Sequence, residues 1–380
     1  MKTKLFFLVF MGSVFSACQT NDTYSSIHAY LESKSKSNSR QGFPLTLVSV
    51  QELPRFTPSN GMYILSHAIF NDKGYYYSGD EMAAKIIDLN NQQTIQQISF
   101  PDLHQRVQKE YAICFMPDEN TFVWHTDSNA LHYYNLAGQH IRTLSPQLTY
   151  QGKTYCISSG RDARLIFVPQ TQDIIIPVHC ISEYDSQEEH QLPHIAIYNL
   201  NTEQTRFVPI SLPTSYNPEV YYAELGKPFI SVDGNMLYAM YPLSTTMYRY
   251  NLQTEQTDNI NISLPVSLTP PGSIQHTTDL YQMAERESRC NRITGMVVTN
   301  SKILIQQTDG WNETLASRKY LDNTLLMEFD GNGNLSWSSA FPALEFDGGV
   351  FNLSNIKNQQ ILFRWHNQNN EQRLIAYRYP

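Results

Sequence analysis

Residues Ile195 to Pro213 read IAIYNLNTEQTRFVPISLP, and Met247 to Pro265 read MYRYNLQTEQTDNINISLP. Each is a run of alternating apolar and polar residues that ends at Asn-Leu, then a short polar turn, then a second run closing on Pro. A two-residue side-chain period on both sides of a polar turn is the signature of a β-hairpin. The unit returns from Lys85 as KIIDLNNQQTIQQISFP, from Leu131 as LHYYNLAGQHIRTLSP and, more weakly, from Leu325 as LLMEFDGNGNLSWSSAFP. A different hairpin precedes each copy: AIFNDKGYYYSG from Ala68, ICFMPDENTFVWH from Ile113, LIFVPQTQDIIIPVH from Leu165, FISVDGNMLYAMY from Phe229 and MVVTNSKILIQQ from Met296. A further copy of that first hairpin, NLSNIKNQQILFRWH from Asn352, is followed only by RLIAYRYP.

Two hairpins in succession make a four-stranded blade, and a ring of such blades is a β-propeller. The last blade is one strand short. A ring with an open blade would expose unpaired edges, which native proteins avoid. The segment Leu45 to Pro54, LTLVSVQELP, has the alternation and the closing Pro of the other outer strands. It is expected to complete the last blade. The expected fold is therefore all-β, a six-bladed β-propeller of four-stranded antiparallel blades over residues 44–380, closed by an N-terminal strand. A β-sandwich or a solenoid of similar hairpins is the alternative that period-two patterning leaves open.

The chain has 380 residues, 41% hydrophobic and 16% charged, with 27 Lys and Arg against 35 Asp and Glu. A net charge of −8 excludes a protein held on nucleic acid by a basic field. Residues 1–17, MKTKLFFLVFMGSVFSA, carry Lys2 and Lys4, then an apolar run, then small residues: a signal peptide. Phe15-Ser16-Ala17-Cys18 resembles a bacterial lipobox. The resemblance implies cleavage before Cys18, acylation of Cys18 and the lipid bilayer as a partner, hence a cell-envelope lipoprotein, in the outer membrane and facing periplasm or cell surface. An ordinary signal peptide cut elsewhere is the alternative. Residues 18–43 are Ser- and Lys-rich with few apolar positions, and are expected to be a flexible tether. A short helix around Ile27 to Leu31 is the other reading of that stretch.

FISVDGNMLYAMY and ICFMPDENTFVW resemble the inner hairpin of TolB-type propellers, through Asp233-Gly234 and Pro117-Asp118. Together with the lipobox, the repeats resemble a group of Bacteroidota lipoproteins with TolB-like six-bladed propellers. The resemblance rests on turn chemistry, so it speaks for fold more than activity. Asp118 and Asp233 are turn residues, not catalysts.

No HExxH, Walker A, GxSxG or CxxC motif occurs. No cofactor and no metal is expected. Besides Cys18 there are Cys114, Cys156, Cys180 and Cys290. Cys114 lies within an expected inner strand and should be a buried thiol. Cys156 and Cys180 are the pair to favour if a disulfide forms, but a large ring has its own core and four free thiols are the main expectation. Propellers usually bind ligands where first strands begin and second strands end. Second strands are expected to end at Ser78, His125, His179, Tyr241, Gln307 and His366. His125, His179 and His366 could converge on a metal, but the ring separates them, and rim histidines in water are expected.

Loops leading into the third, fourth and fifth blades carry Arg161, Arg164, Lys227, Arg286, Arg289 and Arg292. Guanidinium groups bind carboxylate or phosphate in a fork, so these residues, with Tyr241 and the histidines, are the candidate ligand-binding set. Pairing with Asp162, Asp279, Glu285 and Glu287 is the plainer reading. The loop Pro265 to Asn291 is long enough to be functional, and Tyr216, Tyr221 and Tyr222 offer aromatic surface or packing. The function expected from these features is a lipid-anchored binding or scaffold module for a glycan, peptide or envelope protein, with no nucleic acid. The alternative is a hydrolase or lyase acting on an anionic saccharide, with the Arg cluster binding substrate and a His or Tyr as acid/base; it predicts loss of turnover when Arg289 or His179 is changed.

Overall fold

The computed structural model describes residues 23–36, 46–52, 65–78, 81–91, 93–107, 113–125, 129–158, 165–181, 189–218, 220, 222–269, 289–310, 324–341, 351–356, 359–368 and 371–379. After a helix, α1 (Ile27–Lys36), and a strand, β1 (Thr46–Glu52), comes a meander of β2 (Leu65–Phe70), β3 (Lys73–Ser78), β4 (Ala83–Asp88) and β5 (Gln93–Ser99). The pattern recurs as β6 (Ile113–Asp118), β7 (Thr121–His125), β8 (Leu131–Asn135) and β9 (His140–Leu144). A two-stranded ribbon, β10 (Thr149–Tyr150) and β11 (Lys153–Ile157), precedes β12 (Ile166–Val168), β13 (Asp173–Cys180), β14 (Ile195–Asn199) and β15 (Thr205–Val208). Then come β16 (Phe229–Asp233), β17 (Met236–Met240), β18 (Thr246–Asn251) and β19 (Thr257–Asn261), followed by β20 (Arg292–Thr299), β21 (Lys302–Thr308), β22 (Thr324–Phe329) and β23 (Leu335–Phe341). The last strands are β24 (Phe351–Ile356), β25 (Gln359–Gln368) and β26 (Glu371–Arg378).

The sheets are antiparallel and stand in a propeller arrangement. Four consist of consecutive strands, β2–β5, β6–β9, β16–β19 and β20–β23, and a fifth has the order β1-β26-β25-β24. Thr46 lies opposite Arg378 and Glu52 opposite Arg373, so the strand after the helix zips onto the carboxyl-terminal ribbon. First strands pack side by side, β2 on β6, β6 on β12, β12 on β16, β16 on β20, β20 on β24 and β24 on β2.

Five regular four-stranded blades are counted, where six were expected. The sheet around β12–β15 breaks the rule because it has six strands. Its first strand is short: β12 covers only Asp173 to Ile175 of β13. Beyond that, β11 takes the same edge, opposite Val178, His179 and Cys180. The β10–β11 turn at Gln151-Gly152 has two positive φ angles, 49° and 77°, as a tight hairpin turn demands.

Apolar side chains fill the spaces between neighbouring sheets. Ile174 and Ile176 face the β6–β9 side, while Ile175 faces the β16–β19 side. A strand buried on both faces needs no polar alternation, which is why β13 reads DIIIPV. The outer strand β5, QTIQQIS, is exposed almost throughout.

The repeated Asn-Leu also has a physical reason. Asn199 Oδ1 accepts from the backbone N–H of Asn201 and Thr202, and Asn251 Oδ1 from those of Gln253 and Thr254. Asn135, Asp88 and Asp330 fold their turns likewise. The following leucine, at 89, 200 or 252, donates its N–H to the turn of the preceding hairpin, at Asp72, Gln172 or Asn235. One dipeptide thus shapes one turn and ties it to another.

Gly138 sits in such a turn with φ +74°, and a Cβ there would lie 2.1 Å from the Ser99 carbonyl oxygen of the neighbouring sheet. Gly234 has φ +59° but nothing within 4 Å. Left-handed backbone costs a non-glycine residue about 1–2 kcal/mol at either site, and only Gly138→Ala adds a collision between sheets. In thermal melts Gly138→Ala is expected to lose clearly more stability than Gly234→Ala; equal losses would remove the collision as a cause.

Part of the stretch assigned to the tether is docked instead. Tyr24 and Val266 form a parallel bridge, with Tyr24 N–H donating to Pro265 O and Ser267 N–H to Tyr24 O, both at 2.8 Å. Ile27 and Tyr30 are buried among Met247, Ile305 and Leu325. The Tyr30 hydroxyl is 2.8 Å from Ser338 Oγ. The Ile27 N–H lies 3.0 and 2.9 Å from the two carboxylate oxygens of Asp309. The helical reading of this segment is therefore the one realised, for residues 27–36; residues 18–22 and 37–43 lie outside the described residues.

Candidate functional site

First strands begin and second strands end on one side of the ring: Ile113 faces His125, and Arg292 faces Thr308. Buried polar side chains gather there. His125, Ser158, His194, Asn291, Gln307 and Asp309 are all buried near that side. On the far side, Asp173 and Glu328 are buried but engaged in ionic contacts. Asp173 accepts from Asn199 Nδ2 at 2.8 Å and pairs with Arg206 at 3.1 Å. Glu328 accepts from Trp337 Nε1 and the Tyr379 hydroxyl and pairs with Lys302 at 3.5 Å.

Buried polar atoms with no hydrogen-bond partner among the described residues occur on both sides: Trp124 Nε1, Tyr241 Oη, Gln306 Oε1 and Gln307 Oε1 toward the first, and Tyr133 Oη, Tyr134 Oη, Thr171 Oγ1 and Thr205 Oγ1 toward the other. Gln307 is fixed by its other end, Nε2 donating to Val266 O at 3.0 Å. Gln306 Nε2 likewise donates to Thr294 Oγ1 at 2.9 Å. Buried polar atoms are normally satisfied by protein or water, so Trp124 Nε1 and the Gln306 and Gln307 carbonyls have capacity for one more polar partner, whereas Tyr241 is packed between Tyr216 and His194.

The expected site residues divide as follows. His125 is not a rim histidine in water: it is 1% exposed, with its ring 5.9 Å from Phe115 on the paired strand. Tyr241 is not at the surface either. It is fully buried between Tyr216 and His194, and burial pushes its hydroxyl far above the usual range. It therefore stays protonated and serves as no general base. Tyr216 and Tyr222 pack their loop down. The Tyr216 hydroxyl donates to Leu225 O and accepts from Leu243 N–H, both at 2.9 Å, and Tyr222 Oη accepts from Asn217 N–H.

Arg289 is exposed, and Lys227 and Arg292 are half-buried. Arg292 Nη1 donates to Cys290 O at 3.3 Å. Arg161, Arg164, Arg286, Tyr221 and the side chain of His366 lie outside the described residues, as do Cys18, Asp162, Asp279, Glu285 and Glu287.

His179 is half-buried, and its Nε2 is 2.9 Å from Cys156 Sγ while its Nδ1 is 3.2 Å from Ser158 Oγ. The β11–β13 register places Cys156 directly opposite His179, and Cys180 opposite Tyr155. Adjacent residues on a strand point to opposite faces, so Cys156 and Cys180 lie on opposite faces and form no disulfide. All four described cysteines are free. Cys114 is the buried thiol expected, and burial pushes its thiol well up. Among the described residues no group of three or more His, Cys, Asp or Glu is placed to hold a metal ion.

The Cys156–His179 pair was not readable from sequence. Cys156 and Ser158 share strand parity, which is a signal that they share a face. No turn links their strand to β13, so their partner was not specified.

No family model matches the chain, and no curated protein matches it. Among solved structures it is similar to a member of the DUF4221 family from Bacteroides vulgatus, with 12% identity over 88% of this chain and 97% of that one and a TM-score of 0.57. It is also similar to a Bacteroides fragilis protein described as exported, with 11% identity over 89% and 96% and a TM-score of 0.49. A third similar structure is BamB from Moraxella catarrhalis, with 13% identity over 82% and 69% and a TM-score of 0.35. Of the three, the first supports the fold.

Proposed function

We propose that the chain is a lipid-anchored cell-envelope propeller that acts as a binding or scaffold module for a glycan, a peptide or an envelope protein. One observation supports the reading: His125, Ser158, His194, Asn291, Gln307 and Asp309 are buried toward the side where first strands begin, and the Gln306 and Gln307 carbonyls there have no hydrogen-bond partner among the described residues. A few fixed polar groups in otherwise apolar surroundings are what a recognition site requires. In this reading the ring has six blades, the six-stranded sheet being the sixth with the β10–β11 ribbon added. The circuit of first-strand contacts supports it.

The lipobox-like Phe15–Cys18 supports the anchor, with acylated Cys18 in the bilayer. At about 3.3–3.6 Å per residue, the chain from Cys18 to the docked Tyr24 spans at most about 20 Å. The ring would then sit close to the membrane rather than at the end of a long leash. The acidic body offers no general attraction for nucleic acid or anionic headgroups.

The test is a glycan array and a pull-down from native envelope, run with wild type and with Gln307→Leu. Retention by wild type, weakened about tenfold or more in the variant (each tenfold is about 1.4 kcal/mol), is the expected result. No retained species with wild type, or equal retention by both, would count against the site. The anchor is tested in the same cells by whether Cys18→Ala releases the protein from the membrane fraction.

A further inference from the structure

We propose that His132, Thr143 and His140 form an acid-sensitive clasp, and that protonation of the two rings frees the segment from Asp102 to Val107 from the seam between sheets β2–β5 and β6–β9. The binding reading above does not depend on it. His132 Nδ1 and His140 Nε2 each lie 3.0 Å from Thr143 Oγ1, so one hydroxyl joins both rings. The β8–β9 register makes the contact: Thr143 stands opposite His132, and His140 opposite Tyr134. The repeat itself does not ask for imidazoles here. The corresponding positions hold Ala196 and Thr205 in the β14–β15 hairpin, and Tyr248 and Thr257 in the β18–β19 hairpin.

The hydroxyl has one proton to give. With neutral rings, one ring N–H donates to Oγ1 and the hydroxyl donates to the bare nitrogen of the other ring. With both rings charged, both nitrogens donate to Oγ1, and the hydroxyl proton loses its acceptor in the clasp. The two charges would also stand close, with ring centroids 6.3 Å apart. His132 is buried and His140 half-buried. Burial holds the His132 ring below the usual imidazole range, with His140 and Arg106 adding to the effect. Burial and then Arg106 do the same to His140, where Asp102 pulls the other way.

The charged groups that meet the clasp come from the segment that closes over it. Asp102 and Arg106 flank the short helical turn Leu103–Gln105, with Arg106 Nη2 3.4 Å from Asp102 Oδ2. His104, on that turn, is exposed. Tyr134 packs its ring edge against His140, and burial pushes its hydroxyl up to about 12. β7 contributes Trp124, opposite His132, and β3 contributes Tyr75 and Tyr77 to the same core. Lys109, Glu110 and Asp127 lie outside the described residues. Leu103 and Val107 seat the segment among Phe100, Trp124 and Tyr134. Two imidazolium ions beside Arg106 oppose that seat.

An opened segment lets each ring take its proton near pH 6.5, whereas the closed form takes it only at lower pH. The closed form's advantage is therefore whole above pH 6.5 and is lost as the pH falls below it. Each proton taken up on opening favours the open form by up to about tenfold per pH unit.

The experiment is hydrogen exchange by mass spectrometry on the intact chain at pH 7.5 and 5.5, with protection corrected for the intrinsic rate at each pH. Peptides covering residues 100–107 and 131–144 should lose about tenfold in protection at pH 5.5, while those of β16–β19 keep theirs. The double variant His132→Asn, His140→Gln keeps uncharged polar groups near the two nitrogen positions, and in it the loss should vanish. Unchanged protection in wild type overturns the proposal, as does a loss spread evenly over all sheets or an equal loss in the double variant. Should the variant be unprotected already at pH 7.5, titration of the His132 ring in wild type by NMR decides. A midpoint below 6.5 supports the clasp, and one at or above 6.5 overturns it.

Discussion

A chain that begins after Glu52 is expected to accumulate in the insoluble fraction, whereas one that begins at residue 37 and keeps β1 folds. The difference lies in one ladder. β1 pairs with β26 from Thr46 against Arg378 to Glu52 against Arg373. A backbone hydrogen bond contributes about 1 kcal/mol net, so losing a ladder of this length costs on the order of 5 kcal/mol. That is comparable with the whole stability of an ordinary domain, about 5–15 kcal/mol. The loss is also placed where it does further harm. β26 would become an open edge, with Leu374, Ile375, Ala376 and Tyr377 along it. An exposed apolar edge invites pairing between chains. A peptide of residues 45–54 added during refolding should supply the missing strand in trans. Equal solubility and coincident melts for the chains beginning at 37 and 53 would mean that the ring does not depend on this closure.

That closure was legible because it depends on pattern alone. LTLVSVQELP carries the alternation and the Pro of an outer strand, and RLIAYRYP supplies one strand where two were due. The Asn-Leu signature was legible for a similar reason: the side chain that ends the strand also folds the turn, so local chemistry and architecture agree. The β10–β11 ribbon was missed because TYQGKTYCI falls between repeats, where extra residues read as loop. Only the composite edge of β13 shows what it pairs with. Tyr241 follows the end of a second strand, which by pattern alone places it at the mouth, yet Tyr216 packs against it and it is fully buried. Docking of residues 23–36 was hidden by composition. Tyr24, Ile27, Tyr30 and Leu31 are few among polar neighbours, and what fixes them, Asp309, lies 282 residues away from Ile27.

Asp309→Ala should release α1. The carboxylate is buried and receives the Ile27 N–H on both oxygens. It thereby satisfies one of the donors that a helix leaves open at its first turn, with a negative charge where the helix dipole favours one. Hydrogen bonds to charged groups contribute about 1.5–3 kcal/mol, and the variant also leaves a buried N–H without its acceptor. The expected readouts are a lower melting temperature and faster tryptic cleavage after Lys34, which is already exposed but held in helical backbone until α1 undocks. Asp309 has other neighbours, so the loss must be apportioned. In the chain that begins at residue 37 there is no Ile27, and Asp309→Ala should cost far less there than in the chain with α1. The difference between the two costs is the coupling energy of helix and carboxylate. An equal cost in both backgrounds would assign the effect to the loops at residues 291 and 310 and leave α1 held by Ile27 and Tyr30 alone. A large coupling would make Asp309 the residue that sets how near the ring stands to whatever holds the amino terminus.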